Sequence, residues 1–498
     1  MSNSHPLYDH SRALVLGAGL SGVAAAQLLR QRGCTVVVLD EAPAERLATV
    51  AAELAALGAE LRAGCRDVPD APFDLCVTSP GIAMAHPWLQ ACRTRHIPVI
   101  AETELGFVYW PGRVLAITGS KGKSTLVKLC ADTLNRAGIP AAMAGNYGTP
   151  LSRLVVLPQV LGVDSGSRGC SPSRAMADRS IENGGASSAS PDWRRRDPPS
   201  RKEPALPQAW AVVEVSSFQL EHMQTFCPDV AILLNLQTDH LDRHASLEEY
   251  RALKFRLFAR QVAGDVALLP EDVDDGGAVP AAATRLTFGT GTACDWRYFP
   301  HAVTGRMAGD RVRKINLAGT WFDNPILGLA AAAGAGALAA CGLDDADIGS
   351  GLANFEPLPH RMQRVAVRGG VCYIDDSKAT SLAAVAAALA MVSGPVRLIA
   401  GGRLKEHDLD GLKELLTSRV RKVYLIGECA GRMCSAWSSV VPCKDCGTLE
   451  VAVGEAVREA RADETVLLSP GCASFDQFNS YRERGERFTR LVRELDAS

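Results

Sequence analysis

The chain is built from short, continuous apolar runs, each closed by a glycine- or serine-rich polar loop and then by a helical stripe. Such runs occupy Ala13–Leu16, Thr35–Leu39, Leu75–Thr78, Val114–Ile117, Ala211–Val215, Val230–Leu234, Val371–Ile374, Val396–Ala400, Val423–Ile426 and Val466–Leu468, broken only by Glu214 and Arg397. A strand that is apolar at every position, rather than at every second one, is covered on both faces, which points to parallel sheets sandwiched by helices. The strand–loop–helix rhythm starts afresh three times. An α/β chain of three domains is expected, over residues 1–111, 112–357 and 358–498, each with an open parallel sheet. Polar loops that all follow strands gather on one edge of each sheet, where ligands of such folds sit. The rhythm breaks once. Residues 159–208 are dominated by Ser, Gly, Pro and Arg, with 8 Lys/Arg against 6 Asp/Glu, and read as a disordered surface insertion rather than a basic arm.

Composition narrows the partners. The 498 residues are 47% hydrophobic and 22% charged, with a net charge of −2, so no field draws the chain to nucleic acid or to a membrane surface. No run of ~18 residues is uninterruptedly apolar, and the N-terminus lacks a secretory segment, so a cytoplasmic protein is expected. The 15 cysteines are scattered, many within apolar runs, as reduced buried thiols would be. Cys443-x-x-Cys446 has the spacing of half a metal site, but no His lies near it.

The loops carry the chemistry. Gly17-Ala18-Gly19-Leu20-Ser21-Gly22 opens a helix after the first strand, and Asp40 ends the second strand. That is a dinucleotide-type fingerprint, in which Asp40 takes a ribose hydroxyl or caps the strand end. Ser79-Pro80-Gly81 turns sharply after another strand. In the second stretch, Thr118-Gly119-Ser120-Lys121-Gly122-Lys123-Ser124-Thr125 joins a buried strand to a helix. Unpaired first-turn N–H groups, the helix dipole and Lys123 make a phosphate cradle, and the following hydroxyl is placed to ligate Mg²⁺. Ile117 stands where the full phosphate-loop pattern has its first glycine. Asn146 lies in a loop that would face the same cleft. Glu214 ends an otherwise apolar strand, an expensive place for a carboxylate unless it is paired or holds metal. His240 lies in the acid- and imidazole-rich loop 238–244. Lys254 stands on the stripe Tyr250, Lys254, Leu257, Phe258. An ammonium there cannot ligate a cation, whereas a carbamate formed on it could. In the third stretch, Arg361 and Lys405 with several hydroxyls suit an anionic small molecule.

Nine segments stand in order: GAGLSG, TSPGIA, ITGSKGKST, EVSSFQLE, TDHLDRH, LPHR, DDSKAT, GGRLK and LLSPGCASFDQF. Together they resemble the Mur ligases, nearest the D-glutamate-adding members of that family. The resemblance implies a Rossmann-like N-terminal domain that binds a UDP-sugar, a central P-loop ATPase α/β domain, and a Rossmann-like C-terminal domain for the amino acid. It implies ATP and two Mg²⁺ ions, and a monomer acting on UDP-N-acetylmuramoyl-L-alanine and D-glutamate without nucleic acid or membrane. By the resemblance, Gly119 to Thr125 hold the ATP phosphates. Ser124 and Glu214 hold one Mg²⁺, and His240 with a carbamylated Lys254 the second. Arg361, Asp376 and Lys378 reach ATP from the third domain. Leu20, Ser21, Asp40 and Ser79–Gly81 hold the UDP-sugar, with Asn146 and His240 at its reactive end. Thr380, Lys405, Ser474 and Phe475 seat D-glutamate, with Tyr481 beside them.

Three departures stand against that pattern. Lys121 replaces the usual Asn. Residues 319–325 read Gly-Thr-Trp-Phe-Asp-Asn-Pro where the family has Gly-x-His-Asn-x-x-Asn for adenine, which leaves Asn324 or a stacking Trp321 for that task. The insertion at 159–208 is additional. The GAGLSG turn alone also fits an NAD-dependent oxidoreductase, which would leave Lys123, Glu214 and Lys254 without work. A ligase adding a different amino acid fits many of the same loops, and an ATP-binding protein that has lost turnover fits the altered adenine segment.

Overall fold

The computed structural model describes residues 8–157, 209–236, 246–306, 312–404 and 408–495. The insertion expected at 159–208, the loop carrying His240, and Lys405 therefore lie outside the described residues. Two compact units emerge: one holds the first two expected domains, the other holds residues 353–498 with short pieces near 299–302 and 316–329. The described part contains three sheets.

The first sheet consists of β1 (Arg12–Leu16), β2 (Thr35–Asp40), β3 (Glu60–Ala63), β4 (Leu75–Thr78) and β5 (Val99–Ala101), in the order β3-β2-β1-β4-β5. Every pair is parallel. The chain moves to one side of β1 and then to the other, so the loops after β1, β2 and β4 converge at its carboxyl end. Gly22 is what lets the helix Leu20–Gln31 start so close to the turn: a Cβ there would lie 1.8 Å from the Gly17 carbonyl oxygen. Gly17 itself adopts φ 90°, in the left-handed region.

The second sheet holds β6 (Arg113–Thr118), β7 (Ala141–Gly145), β8 (Trp210–Glu214), β9 (Val230–Leu233), β10 (Val266–Pro270), β11 (Thr284–Gly289), β12 (Trp296–Phe299), β13 (Ala302–Gly305) and β14 (Arg313–Asn316). Their order is β14-β13-β12-β11-β10-β9-β6-β8-β7. Here β6 lies at the reversal point, with β8 on one side and β9 on the other, both parallel to it. These strands are buried on both faces, which is why each reads as an uninterrupted apolar run. The helix expected over Leu247–Arg260 ends at Phe255. Beyond it, Phe258 N–H bonds to Phe255 and Ala259 N–H to Arg256, three-residue turns that bring Leu257 and Phe258 into the core.

The third sheet comprises β15 (Gln363–Arg368), β16 (Val371–Asp375), β17 (Val396–Gly401), β18 (Val420–Ile426), β19 (Cys443–Gly447) and β20 (Thr465–Leu468), in the order β15-β16-β20-β17-β18-β19. It departs from an all-parallel sheet, since β15 pairs antiparallel with β16. The cause is Gly369-Gly370, both at positive φ (56° and 78°), a two-residue hairpin turn that only glycine forms cheaply. Cys443 and Cys446 lie on β19, where residues three apart point to opposite faces, so they do not form a metal knuckle. Among the described residues no helix is long and apolar enough to cross a membrane.

Candidate functional site

The phosphate loop leaves β6 and enters the helix Lys123–Arg136. Gly122 caps that helix at φ 82° and has no side chain to spend on the first turn. The N–H groups of such a helix start favour an anion. Ser120, Ser124 and Thr125 are buried in the loop wall. Lys123 folds over the loop, its Nζ donating to the Gly119 and Ser120 carbonyls at 2.8 and 3.1 Å. Asn235, just after β9, braces the loop from behind: its Oδ1 accepts the Ser120 and Lys121 N–H groups, each at 2.9 Å, and its Nδ2 donates to the Lys121 carbonyl at 3.0 Å. The sequence signal for Asn235 was its place at the carboxyl end of a central strand.

Glu214 and Lys254 both come to the end of β6. Glu214 lies opposite Ile117 in register and is buried. Its Oε1 accepts from Asn146 Nδ2 at 3.0 Å, and its buried Oε2 has no hydrogen-bond partner among the described residues. A buried carboxylate oxygen left open in this way fits a cation better than it fits a core. The helix Leu247–Phe255 presses Tyr250 and Lys254, four residues apart, beneath the same loop. Tyr250 Oη lies 3.2 Å from Ser120 Oγ. Lys254 Nζ donates to Thr118 Oγ1 at 3.2 Å and to the Gly119 carbonyl at 3.0 Å. Only 1% of Lys254 is exposed. The loop, Glu214, Asn146 and Lys254 are therefore brought together at the end of β6, while His240 lies outside the described residues.

A second polar site lies at the carboxyl end of β1. Leu20 is 73% exposed at the start of its helix, beside Ser21. Asp40 acts chiefly as a brace: its two oxygens accept the Ala18 and Ala42 N–H groups at 2.7 and 2.8 Å, tying the glycine turn to β2. Ser79 faces the same turn, and its buried hydroxyl has no partner. Pro80 and Gly81 complete that turn. This site is tied to the phosphate-loop region by the helix Glu102–Tyr109. Glu102 accepts the Ser152 N–H at 2.7 Å. Thr103 Oγ1 accepts from Gln219 Nε2 at 2.7 Å, and Glu104 accepts the Thr225 N–H and hydroxyl at 2.6 and 2.7 Å. Burial pushes both carboxyls above their usual range.

The second unit has its own cluster at the carboxyl ends of β16, β17 and β20. His360 (φ 61°) and Met362 (φ 45°) flank Arg361 in the left-handed region. The His360 ring bonds Asp375 at 2.7 Å and its carbonyl accepts the Lys378 N–H at 3.0 Å. The turn is thereby held against the 375–380 loop, with Arg361 near enough to act on Asp376 electrostatically. Asp376 is buried, accepting from Ser469 Oγ at 2.9 Å and Met362 N–H at 3.2 Å. Burial raises its pKa to about 7, against those two hydrogen bonds. Lys378 Nζ sits 3.9 Å from the Tyr481 ring centroid. Arg403 and Ala473 exchange backbone bonds at 2.8 and 2.9 Å, zipping the loops after β17 and β20. Ser474 is buried in that zip and Phe475 is 64% exposed beside it, while Thr380 lies half-buried in the neighbouring loop. The amide of Asn324 is used in capping: its Oδ1 accepts the Leu327 N–H at 3.0 Å and its Nδ2 donates to the Trp321 carbonyl at 3.3 Å. Trp321 packs on Phe322 and Phe355, with centroids 5.2 and 5.1 Å away.

Arg484 is the residue that the sequence pattern concealed. It sits in the Arg/Glu-rich helix Tyr481–Glu494, which reads as solvated, yet it is 1% exposed. The signal was its spacing to Phe488 and Val492, which puts all three on one face.

Three family models match the chain: Mur ligase MurD-like, N-terminal domain, at 11–101; Mur ligase middle domain, at 207–302; and Mur ligase, glutamate ligase domain, at 360–472. The chain is 36% identical over 495 residues to a UDP-N-acetylmuramoylalanine–D-glutamate ligase of Nitratidesulfovibrio vulgaris, covering 97% of this chain and 96% of the relative. It is 34% identical to the protein of that name from Acidobacterium capsulatum, over 97% and 96%. Among solved structures, the UDP-N-acetylmuramate–alanine ligase MurC of Thermotoga maritima aligns with TM-score 0.55 at 14% identity, over 98% of this chain and all of that one. MurF ligase from the same organism, in complex with ADP, aligns with TM-score 0.55 at 16% identity, over 93% and 95%.

Proposed function

The chain belongs to the Mur ligase family, and we propose that it is the ADP-forming ligase that adds D-glutamate to UDP-N-acetylmuramoyl-L-alanine in peptidoglycan precursor synthesis. The observation that carries this reading is the buried Oε2 of Glu214, without a hydrogen-bond partner among the described residues, beside the phosphate loop. A site built for a nicotinamide would have no use for it.

Three domains with boundaries near 111 and 357 would divide the work. The glycine turn after β1, the Ser79 hydroxyl and the first-turn N–H groups of helix Leu20–Gln31 would seat the UDP diphosphate. Lys123 and the first turn of its helix would seat the ATP phosphates. Ser124 and Glu214 would hold one Mg²⁺; His240 and a carbamylated Lys254 would hold the second. Those ions, when bound, supply charge neutralisation between anionic ATP and an anionic carboxylate. The substrate carboxylate oxygen then attacks the γ-phosphorus, the bond to ADP breaks, and an acyl phosphate forms. The free amine of D-glutamate attacks the acyl carbon, phosphate leaves with the bonding pair, and the amine proton is lost to solvent or base. Residues of the second unit would prepare that amine. Lys405, Thr380 and Ser474 would hold the carboxylates, with Phe475 and Tyr481 beside them, and Arg361, Asp376 and Lys378 would meet ATP. Asn324 or Trp321 would meet adenine. The enzyme would act as a cytoplasmic monomer.

Phosphate release tests the reading. Purified protein with ATP, Mg²⁺ and UDP-N-acetylmuramoyl-L-alanine should turn over with D-glutamate and not with L-glutamate, D-alanine or diaminopimelate. Release with another amino acid in place of D-glutamate overturns it. Lys254→Ala should abolish turnover while leaving the circular dichroism spectrum unchanged, and full activity in that variant would remove the carbamate from the scheme.

A further inference from the structure

Arg484 carries a buried charge that, among the described residues, hydrogen-bonds to no carboxylate. Its Nε donates to Ser377 Oγ at 3.0 Å, and its Nη2 to the Ser377 and Cys472 carbonyls, both at 3.0 Å. Nη1 reaches the Gly401 carbonyl at 3.5 Å. These acceptors are all neutral. Asp476 and Asp375 act on the guanidinium through charge attraction. Both are committed elsewhere, Asp375 to His360 and the Ser377 N–H, Asp476 to the Glu428 N–H. Taking an ion out of water costs several kcal/mol unless it is compensated. A methionine would fill the same space without that cost, so stability alone does not account for an arginine here.

Its position suggests what does. The three acceptor residues stand at the ends of three strands: Ser377 and Cys472 in the loops after β16 and β20, and Gly401 as the last residue of β17. Thr380 follows Ser377 by three positions, and Ser474 and Phe475 follow Cys472 directly after Ala473. The planar fork ties two loops and the end of β17 together at once, which a lysine cannot do. Gly402 belongs to the same packing, since a Cβ on it would lie 3.2 Å from Nη1.

We infer that Arg484 is a positioning and selectivity residue for the amino-acid substrate: it holds the loops after β16 and β20 in register with the end of β17 and leaves a positive charge beneath them that a dicarboxylate amino acid offsets and a neutral one does not. Being 1% exposed, it does not touch the substrate. The inference rests on the D-glutamate reading above.

The test compares Arg484→Met and Arg484→Lys with the parent enzyme, measuring phosphate release against D-glutamate and against its neutral isostere D-glutamine. Arg484→Met should raise the KM for D-glutamate about tenfold or more, with the KM for ATP and for the UDP-sugar changed less than about threefold. The preference for D-glutamate over D-glutamine should fall about tenfold in the same variant. Arg484→Lys should recover much of that preference, because it restores charge, while the KM for D-glutamate stays raised, because the fork is lost. An unchanged preference in both variants, with loss only of melting temperature and kcat, makes Arg484 merely structural and overturns the inference. Should Arg484→Met not fold, the preference measured in Arg484→Lys decides: a parent-like KM for D-glutamate there refutes the positioning role. If the parent itself ignores D-glutamate, it is the proposed function that fails, which is a separate outcome.

Discussion

Asp376 is a carboxyl held where its charge is unwelcome, and the consequence can be worked through. It is buried between β16 and β20, next to Asp375, and its pKa is raised from 3.8 to about 7. Desolvation is the main cause. The folded state therefore binds this proton more tightly than the unfolded chain. Stability from the group is fully present below the unfolded pKa and is lost as pH rises through the folded one, so the ligand-free protein weakens between about pH 4 and pH 7 on its account. Three units at 1.36 kcal/mol each set a ceiling of about 4 kcal/mol, and relaxation of the site should leave about 2. Asp376→Asn removes the charge and keeps an acceptor for the Met362 N–H, while the Ser469 hydroxyl can turn to accept from the new amide. Melting of parent and variant without nucleotide, across that pH range, checks it. The variant should melt about 5 °C higher near pH 8, and the gap should close towards pH 4. Groups common to both proteins cancel in the difference. A gap that stays constant with pH, or widens in acid, would refute the buried-charge account. Activity should move the other way, with turnover falling in Asp376→Asn if the carboxylate meets ATP.

Two further substitutions probe the other sites. Glu214→Gln should lower kcat by about a thousandfold or more and abolish the rise in melting temperature that Mg²⁺ with ATP gives the parent, while ligand-free stability stays within about 1 kcal/mol; a parent-like Mg²⁺ shift in that variant would remove Glu214 from the metal site. Gly22→Ala places a Cβ 1.8 Å from the Gly17 carbonyl, so the glycine turn must move: the KM for the UDP-sugar should rise more than tenfold with the KM for ATP unchanged, and equal effects on both would show that the damage is global.

What could be read in advance, and what could not, divides along physical lines. Strands buried on both faces announce themselves, because nearly every position is apolar; β1, β6, β8, β9 and β20 were legible for that reason. The loops at their carboxyl ends were legible because glycine, lysine and a lone acid among valines have few other reasons to stand there. The strands from β11 to β14 were not, because they mix exposed and buried positions. Nor was β15, whose only signal was the Gly369-Gly370 turn. The residues that hold the sites in shape were the least legible of all. Asn235 and Arg484 act by spending their hydrogen bonds on backbone, and a polar residue spending bonds on backbone looks, in sequence, like a polar residue facing water. Asp40 shows the same ambiguity resolved in the other direction, since both of its oxygens are engaged with backbone N–H groups of its own fold. A ligand group and a brace carry identical side chains. What separates them is whether an oxygen is left over, and by that measure Glu214 and Ser79, each with a buried atom still unpartnered, are the stronger candidates to meet something from outside the chain.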